Sequence, residues 1–275
     1  MRRGHHAVWT PVRRFSSMEV QLNNANVTGG APAAVAASAL EGKAILITGG
    51  ASGLGAALCD AMSAAGANVM VADIDEDKAR QAIDAMHAGA ARAIRCNVGD
   101  PADAARTVHA TVEAFGKIDI LINNAGTDVT RAIDELSFAD WDRVIHTNLY
   151  GPFLLSKFAV PHMKRAGRGQ IVNIASTAAR RAWPNASVYH ASKWGLLGMS
   201  NALHAELRAC NIKVTAVIAG GMRTPFLLDR FPDIDQTALQ EPAHVAQTVK
   251  MVLQLPDETA IPEIMILPMR ERSWP

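Results

Sequence analysis

From Lys43 onward, short apolar runs rich in Val, Ile and Ala alternate with longer segments whose apolar residues recur at helical spacing. The runs predict strands at 44–48, 68–73, 91–97, 118–123, 170–175, 212–218 and 263–267. Between them the period predicts helices near 53–65, 75–88, 101–115, 137–165, 187–209 and 242–254. Ile45-Leu46-Ile47, Val69-Met70-Val71 and Ile120-Leu121-Ile122 are apolar throughout, as strands buried on both faces should be. Asp75, Asp100 (followed by Pro101) and Ser137 stand where three of the helices need N-caps. Strands that alternate with helices pair in parallel through right-handed crossovers. The expected fold class is therefore α/β, a doubly wound parallel sheet (Rossmann fold) of about seven strands in a single domain.

Two stretches break the pattern. Residues 221–241 hold Met222, Phe226, Leu227, Leu228 and Phe231 after the sixth strand, and a long loop there reads as a substrate loop or as a packed surface helix. Residues 1–40 are set apart from the single domain expected at 41–275. Within them, residues 1–17 carry four Arg, two Ser and no acid, the composition of a mitochondrial transit peptide. The alternative is an unfolded extension, or a chain that truly starts at Met18.

Composition narrows the function mainly by exclusion. A formal net charge of +1, with no dense basic stripe, points to neither nucleic acid nor an anionic membrane as partner. No run approaches the ~20 apolar residues a bilayer span needs. Cys59, Cys96 and Cys210 form no CxxC pair and suggest reduced, mostly buried thiols in a cytoplasm-like compartment. If residues 1–17 are a transit peptide, the mitochondrial matrix is expected instead. The nine histidines are accompanied by no HExxH or Cys/His cluster, so no metal site is expected.

Thr48-Gly49-Gly50-Ala51-Ser52-Gly53-Leu54-Gly55 follows the first strand and opens a helix, the setting a dinucleotide site requires. Gly49 permits a tight turn, Gly53 lets backbone approach a pyrophosphate, and Gly55 lets helix pack on strand. Ser52 and Leu54 lie within the same turn and are expected to touch the cofactor. Asp73 ends the second strand, near the ~20-residue spacing at which a carboxylate meets the adenosine ribose hydroxyls. It would accept from a diol and repel a 2′-phosphate, and the turn offers no Arg or Lys. Both features select NAD over NADP.

Tyr189 and Lys193 stand four apart at the start of a helix and so share a face. A phenol titrates near ~10 and is a poor base until a nearby cation stabilises its anion. Ser176, at the end of the fifth strand, can hydrogen-bond a substrate oxygen where charge develops. A Tyr-x-x-x-Lys pattern alone is weak, but Ser176 and a dinucleotide turn upstream make coincidence a poor account.

On these residues the chain resembles the short-chain dehydrogenase/reductase family over residues 43–268. The family's glycine turn falls on Thr48, Gly49, Gly53 and Gly55, and its Asn-Asn-Ala-Gly element on Asn123, Asn124, Ala125 and Gly126. The resemblance implies a catalytic tetrad of Asn148, Ser176, Tyr189 and Lys193. In it, Asn148 holds a relay water and Lys193 also binds the nicotinamide ribose. Tyr189 would exchange the proton while hydride passes between nicotinamide and a secondary alcohol or ketone. By the same resemblance Asn97 and Val98 border the adenine, Asn124, Ala125 and Gly126 its adenosine side, and Thr224 the carboxamide. It further implies a homodimer or homotetramer through the helices at 137–165 and 187–209. Two departures are Asn97-Val98, where an Asp often begins the pair, and Ala219-Gly220, where Pro-Gly is usual. The C-terminal segment from Ile261 lacks the glycine-rich ending of many acyl-chain reductases.

Arg180 and Arg181 are candidates for a substrate carboxylate or phosphate, against a surface or subunit-contact role. Trp183, Met222 and Phe226 are candidates for an apolar wall, against simple core packing. His146 and His190 flank tetrad members and are read as packing or solvent-facing residues, and Asp119 as a local cap or pair. Two rival functions stand beside hydride transfer. One is a non-catalytic NAD-binding redox sensor on the same fold, and the other an NAD-dependent sugar epimerase or dehydratase.

Overall fold

The computed structural model describes residues 40–86 and 90–271. The readings placed on residues 1–39, and the last two residues of the helix expected at 75–88, lie outside these. One parallel sheet runs in the order β3-β2-β1-β4-β5-β6-β7. Its strands are β1 (Ala44–Thr48), β2 (Asn68–Asp73), β3 (Ala91–Arg95), β4 (Ile120–Asn123), β5 (Gly169–Ile174), β6 (Ile212–Ala219) and β7 (Glu263–Ile266). The doubly wound fold expected from the alternating pattern is the fold observed. β1 is buried along its whole length, whereas β3, at the sheet edge, alternates half-buried and exposed positions.

Helices cover both faces. On one, Leu54, Leu58 and Met62 of α1 (Gly53–Ser63) pack with Val245, Val249 and Leu253 of α8 (Pro242–Leu253) over Ile45, Ile47 and Val71. On the other, Val108 of α3 (Pro101–Phe115) joins Leu154, Leu155 and Met163 of α5 (Gly151–Ala166) over Leu46 and Leu121. Each such fully buried aliphatic side chain contributes about 1.5–3 kcal/mol, so the sheet is held from both sides. Asp75, Asp100 and Ser137 cap α2 (Glu76–Asp84), α3 and α4 (Phe138–Ile145) with their side chains, as their positions in the sequence predict. Asp119 accepts from the Ala44 N–H and pairs with Lys117, which fixes the entry of β4 beside β1.

The long helix expected at 137–165 is interrupted. Between α4 and α5 the chain makes one π-helical turn, His146–Tyr150, in which the Gly151 N–H donates to the His146 carbonyl five residues back. Pro152 explains it: proline has no N–H to return to the Asn148 carbonyl, and its ring pushes against that carbonyl. Apolar period cannot reveal such a turn, because the helix axis continues through it.

The chain order reverses between β1 and β4, and α/β sheets open a crevice at the carboxyl ends of the strands on such a switch point. Three pieces converge there: the turn after β1, the loop after β4, and α6 (Ser187–Leu207). A buried polar ladder aligns them. Asn123 donates to Asn173 at 2.8 Å and Asn173 to Ser200 of α6 at 2.9 Å. No helix among the described residues is long and apolar enough to cross a membrane.

Candidate active site

The crevice is a cavity of about 1130 Å³. It is lined by Gly49, Ser52, Gly53, Leu54, Gly55, Asp73, Asn97, Val98, Asn124, Ala125, Gly126, Ser176, Tyr189, Lys193 and Thr224. The structure thus brings together every residue nominated for the catalytic and cofactor roles except Asn148, which lies fully buried behind the wall.

The glycine turn is shaped by backbone sterics. Gly49 and Gly53 have positive φ (62° and 53°), a conformation side chains disfavour. A Cβ on Gly55 would fall 1.8 Å from the Gly49 carbonyl oxygen, so helix and turn can meet only through glycine. Asn124 locks the turn from outside, donating to the Thr48 and Gly49 carbonyls at 2.9 and 3.0 Å. Thr48 Oγ1 in turn accepts from the Asn124 and Ala125 N–H groups. Ser52 caps α1 without using its side chain, so the first-turn N–H groups of α1 meet no side-chain acceptor from it. Asp73 accepts from the Ala51 N–H at 3.0 Å and the Asp75 N–H at 3.1 Å, which aims its carboxylate along the turn. These residues fit a dinucleotide: a crowded glycine cradle, unclaimed helix N–H groups and an oriented carboxylate occupy one cavity.

The reacting end is built on α6 and the β5 terminus. Tyr189 is buried on α6, and Lys193 one turn on places Nζ 5.7 Å from its ring centre. Lys193 donates to the Ile174 carbonyl at 2.9 Å and is also buried. Ser176 caps the short turn after β5, its hydroxyl accepting from the Ala178 N–H. Burial pushes the Tyr189 phenol up to about 12; hydrogen bonding with Ser176 opposes the rise, Asp128 adds to it, and Arg230 opposes it. Burial also brings Lys193 down to about 8, with Asp128 resisting. Burial therefore moves the phenol away from neutrality against the pull of Ser176 and Arg230, and a charged Lys193 beside the ring would add to that pull.

Asn148 does not face the cavity. Its amide donates to the Thr127 carbonyl and to Ser192 Oγ, and its Oδ1 accepts from the Thr127 N–H. That grip holds the loop after β4 against α6. The π-helical turn that carries Asn148 leaves its main-chain carbonyl without the usual partner from residue 152.

The substrate end reveals residues the sequence reading missed. Segment 221–241 contains α7 (Pro225–Leu228), and Met222, Phe226, Leu227 and Phe231 line the cavity. It is both a packed short helix and a wall, and the two readings of it merge. Phe226 stands 6.1 Å from the Tyr189 ring. Within the segment, Arg230 lies 2.6 Å from Asp128, which follows the Asn-Asn-Ala-Gly element. Arg230 is the single basic residue in an otherwise apolar and acidic stretch, PFLLDRFPDID, and that isolation was the available signal.

His190 is no bystander. Its Nδ1 meets the Ala178 carbonyl at 2.9 Å, and Nε2 accepts from the Trp183 N–H at 3.2 Å, with the indole edge-on at 4.3 Å. It bridges the Ser176 turn to Trp183, another cavity wall. Arg180, by contrast, pairs with Glu263 on β7, which also accepts from Asn201. It is engaged structurally and does not line the cavity.

A strand-turn-helix glycine cradle facing a buried Tyr–Lys pair across one crevice is an arrangement that fits an oxidoreductase. The comparisons with known proteins agree. A family model for short chain dehydrogenase matches residues 43–235. The chain is 38% identical over 205 residues to the (2S)-[(R)-hydroxy(phenyl)methyl]succinyl-CoA dehydrogenase subunit BbsD of Thauera aromatica, covering 73% of this chain and 81% of that one. It is 36% identical over 217 residues to a 3-alpha-(or 20-beta)-hydroxysteroid dehydrogenase of Mycobacterium tuberculosis, covering 78% and 83%. Among solved structures, 3-ketoacyl-(acyl-carrier-protein) reductase from Brucella melitensis, complexed with NADH, aligns with a TM-score of 0.78 at 30% identity. That alignment covers 84% of this chain and 99% of the other. The chain belongs to the short-chain dehydrogenase family and is an oxidoreductase.

Proposed function

We propose that the protein oxidises a secondary alcohol to a ketone with NAD, or runs the reverse reduction, with Tyr189 as general acid/base. The observation that carries this is the joint burial of Tyr189 and Lys193 beside Ser176, at the end of a cavity that begins at the glycine turn. When bound, a nicotinamide dinucleotide supplies the hydride acceptor or donor. Gly49, Ser52, Gly53, Leu54 and Gly55 would hold its pyrophosphate side, Asp73 its adenosine ribose, and Asn97 and Val98 its adenine. Asn124, Ala125 and Gly126 would line the adenosine side, and Thr224 would meet the carboxamide.

The chain's own residues then manage the proton. Ser176 Oγ can donate to the substrate oxygen and fix it against Tyr189. Tyr189 takes a proton from an alcohol or gives one to a ketone. Lys193 in its charged form stabilises the phenolate, countering the burial that drives the phenol up. Asn148 acts at one remove, clamping Thr127 and Ser192 so that the loop after β4 and α6 keep their spacing. Asp73 supports NAD over NADP, since a fixed carboxylate favours a ribose diol and repels a phosphate. Trp183, Met222 and Phe226 support a cyclic or aromatic alcohol, because they give the reacting end apolar walls. A homodimer or homotetramer through α4, α5 and α6 is supported by Phe138, Phe153 and Trp194, exposed large side chains on those helices.

A panel of cyclic, aromatic and acyclic alcohols and ketones, followed by NADH and NADPH absorbance, tests the reading. Turnover of cyclic or aromatic alcohols with NAD is expected. A preference for NADP would overturn the role given to Asp73, and no net redox turnover with any member would overturn the reaction.

A further inference from the structure

Segment 221–241 is closed on itself before it meets the rest of the protein. The Gln240 N–H donates to the Gly221 carbonyl and the Arg223 N–H to the Gln240 carbonyl, so the two ends of the loop are pinned together. The Arg223 guanidinium donates to the Gln236 and Leu239 carbonyls and pairs with Glu241. Such a loop moves as one piece, and its fastening to the body decides where its inner face sits.

Arg230 supplies a fastening from the middle of that piece. Its Nε and Nη2 donate to the Phe226 carbonyl at 2.9 and 2.6 Å, and its guanidinium lies 4.0 Å over the Phe226 ring. Arginine and Phe226 are thus one unit, hydrogen-bonded and stacked. The remaining Nη1 reaches Asp128 Oδ2 at 2.6 Å, close enough for strong attraction though too bent for a hydrogen bond. Asp128 is itself fixed, its Oδ1 accepting from the Val129 N–H at 2.7 Å. The side chains are 24% and 9% exposed, so this is no solvent-screened surface pair. Phe226, in turn, is the ring beside Tyr189.

We propose that Asp128 and Arg230 form a charge latch that holds segment 221–241 shut, so that Arg230 positions the Phe226 wall against Tyr189. Both are positioning residues, and substrate exchange requires their separation. Breaking the latch at either end frees the same segment, so the two single losses and the double loss should be equivalent. The claim about the segment stands independently of the substrate; the claim about turnover rests on the reading of Tyr189 given above.

The experiment compares wild type with Asp128→Asn, Arg230→Gln, the double variant and the charge-keeping Arg230→Lys. Chymotrypsin cleavage after Phe226, Leu227 or Leu228 of the full-length chain reads the latch without any substrate. Each single variant and the double should be cut about tenfold faster than wild type, with Arg230→Lys, which keeps the charge but loses the bonds to the Phe226 carbonyl, falling between them. Thermal unfolding, run alongside, should show the unfolding midpoint of Asp128→Asn and Arg230→Gln within a few degrees of wild type. With a cyclic alcohol found active in the panel, KM should rise several-fold in the latch variants while NADH affinity stays unchanged. Additive effects in the double variant, or wild-type cleavage in both singles, would overturn the latch. A faster cut with unchanged KM would overturn its positioning role alone.

Discussion

The two halves of the crevice are held by different physics. At the glycine turn, the backbone is held by several bonds from the Asn124, Asp73 and Thr48 side chains and by contacts too tight for any Cβ. At the Tyr189 end, Trp183 hangs on His190 of α6, and Phe226 hangs on Arg230 of its own segment, which reaches the body of the protein through Asp128. A turn closed by glycine sterics tolerates little change and stays shaped for one ligand. A wall hung on side chains can be re-hung, and so can change substrate without disturbing the fold.

That contrast sets an order of effects. The largest should come from Asp73→Ala on the rigid side. The preference for NAD over NADP, measured as the ratio of kcat/KM values, should collapse by about two orders of magnitude, chiefly through cofactor KM. An unchanged ratio would mean that the carboxylate does not read the ribose, and that the rigid half owes its selectivity to something else. His190→Phe on the pliable side should act more mildly, raising KM for a cyclic alcohol about three- to tenfold with kcat and NADH affinity nearly intact. A collapse of kcat instead would place His190 with the reacting groups rather than with the wall.

The smallest effect concerns stability, at the seam between the halves. Lys193 is brought down to about 8 by burial, from an ordinary value near 10.5. Below about 8 both the folded and the unfolded chain carry this charge, and the fold bears the full penalty of burying it. As pH climbs from about 8 to the ordinary lysine range, the folded chain is neutral where the unfolded one is charged, so stability rises. Lys193→Met should therefore unfold a few degrees higher than wild type at pH 7, and that advantage should fade by about pH 10.5. Loss of the hydrogen bond to the Ile174 carbonyl limits the gain. A lysine that stabilises the fold at pH 7 would reverse the sign.

What the sequence discloses follows the same division. The sheet, the glycine turn and Asp73 are legible because strand period, glycine sterics and the carboxylate spacing are local in the chain. The order Ser176, Tyr189, Lys193 is legible because one β5 terminus and one face of α6 carry all three. The π-helical turn is not, since Pro152 disturbs hydrogen bonds without disturbing apolar period. Nor is the Asp128–Arg230 pair, whose members lie in loops that meet only once the sheet has formed. His190 is legible as a residue that packs or faces solvent, because it lies on another face of α6 from Tyr189; its partner there, Trp183, is not legible. Arg180 shows the converse: its candidate role as an anion receptor ends at Glu263 on β7.

If Tyr189 moves the proton, the dinucleotide should bind independently of its hydroxyl. Tyr189→Phe removes one hydroxyl from a ring that burial and Phe226 still hold in place. NADH binding, read by fluorescence titration, should match wild type within about twofold, while turnover of the best alcohol falls by about 10²–10⁴. Turnover within a few-fold of wild type, with binding intact, would remove Tyr189 from the proton transfer.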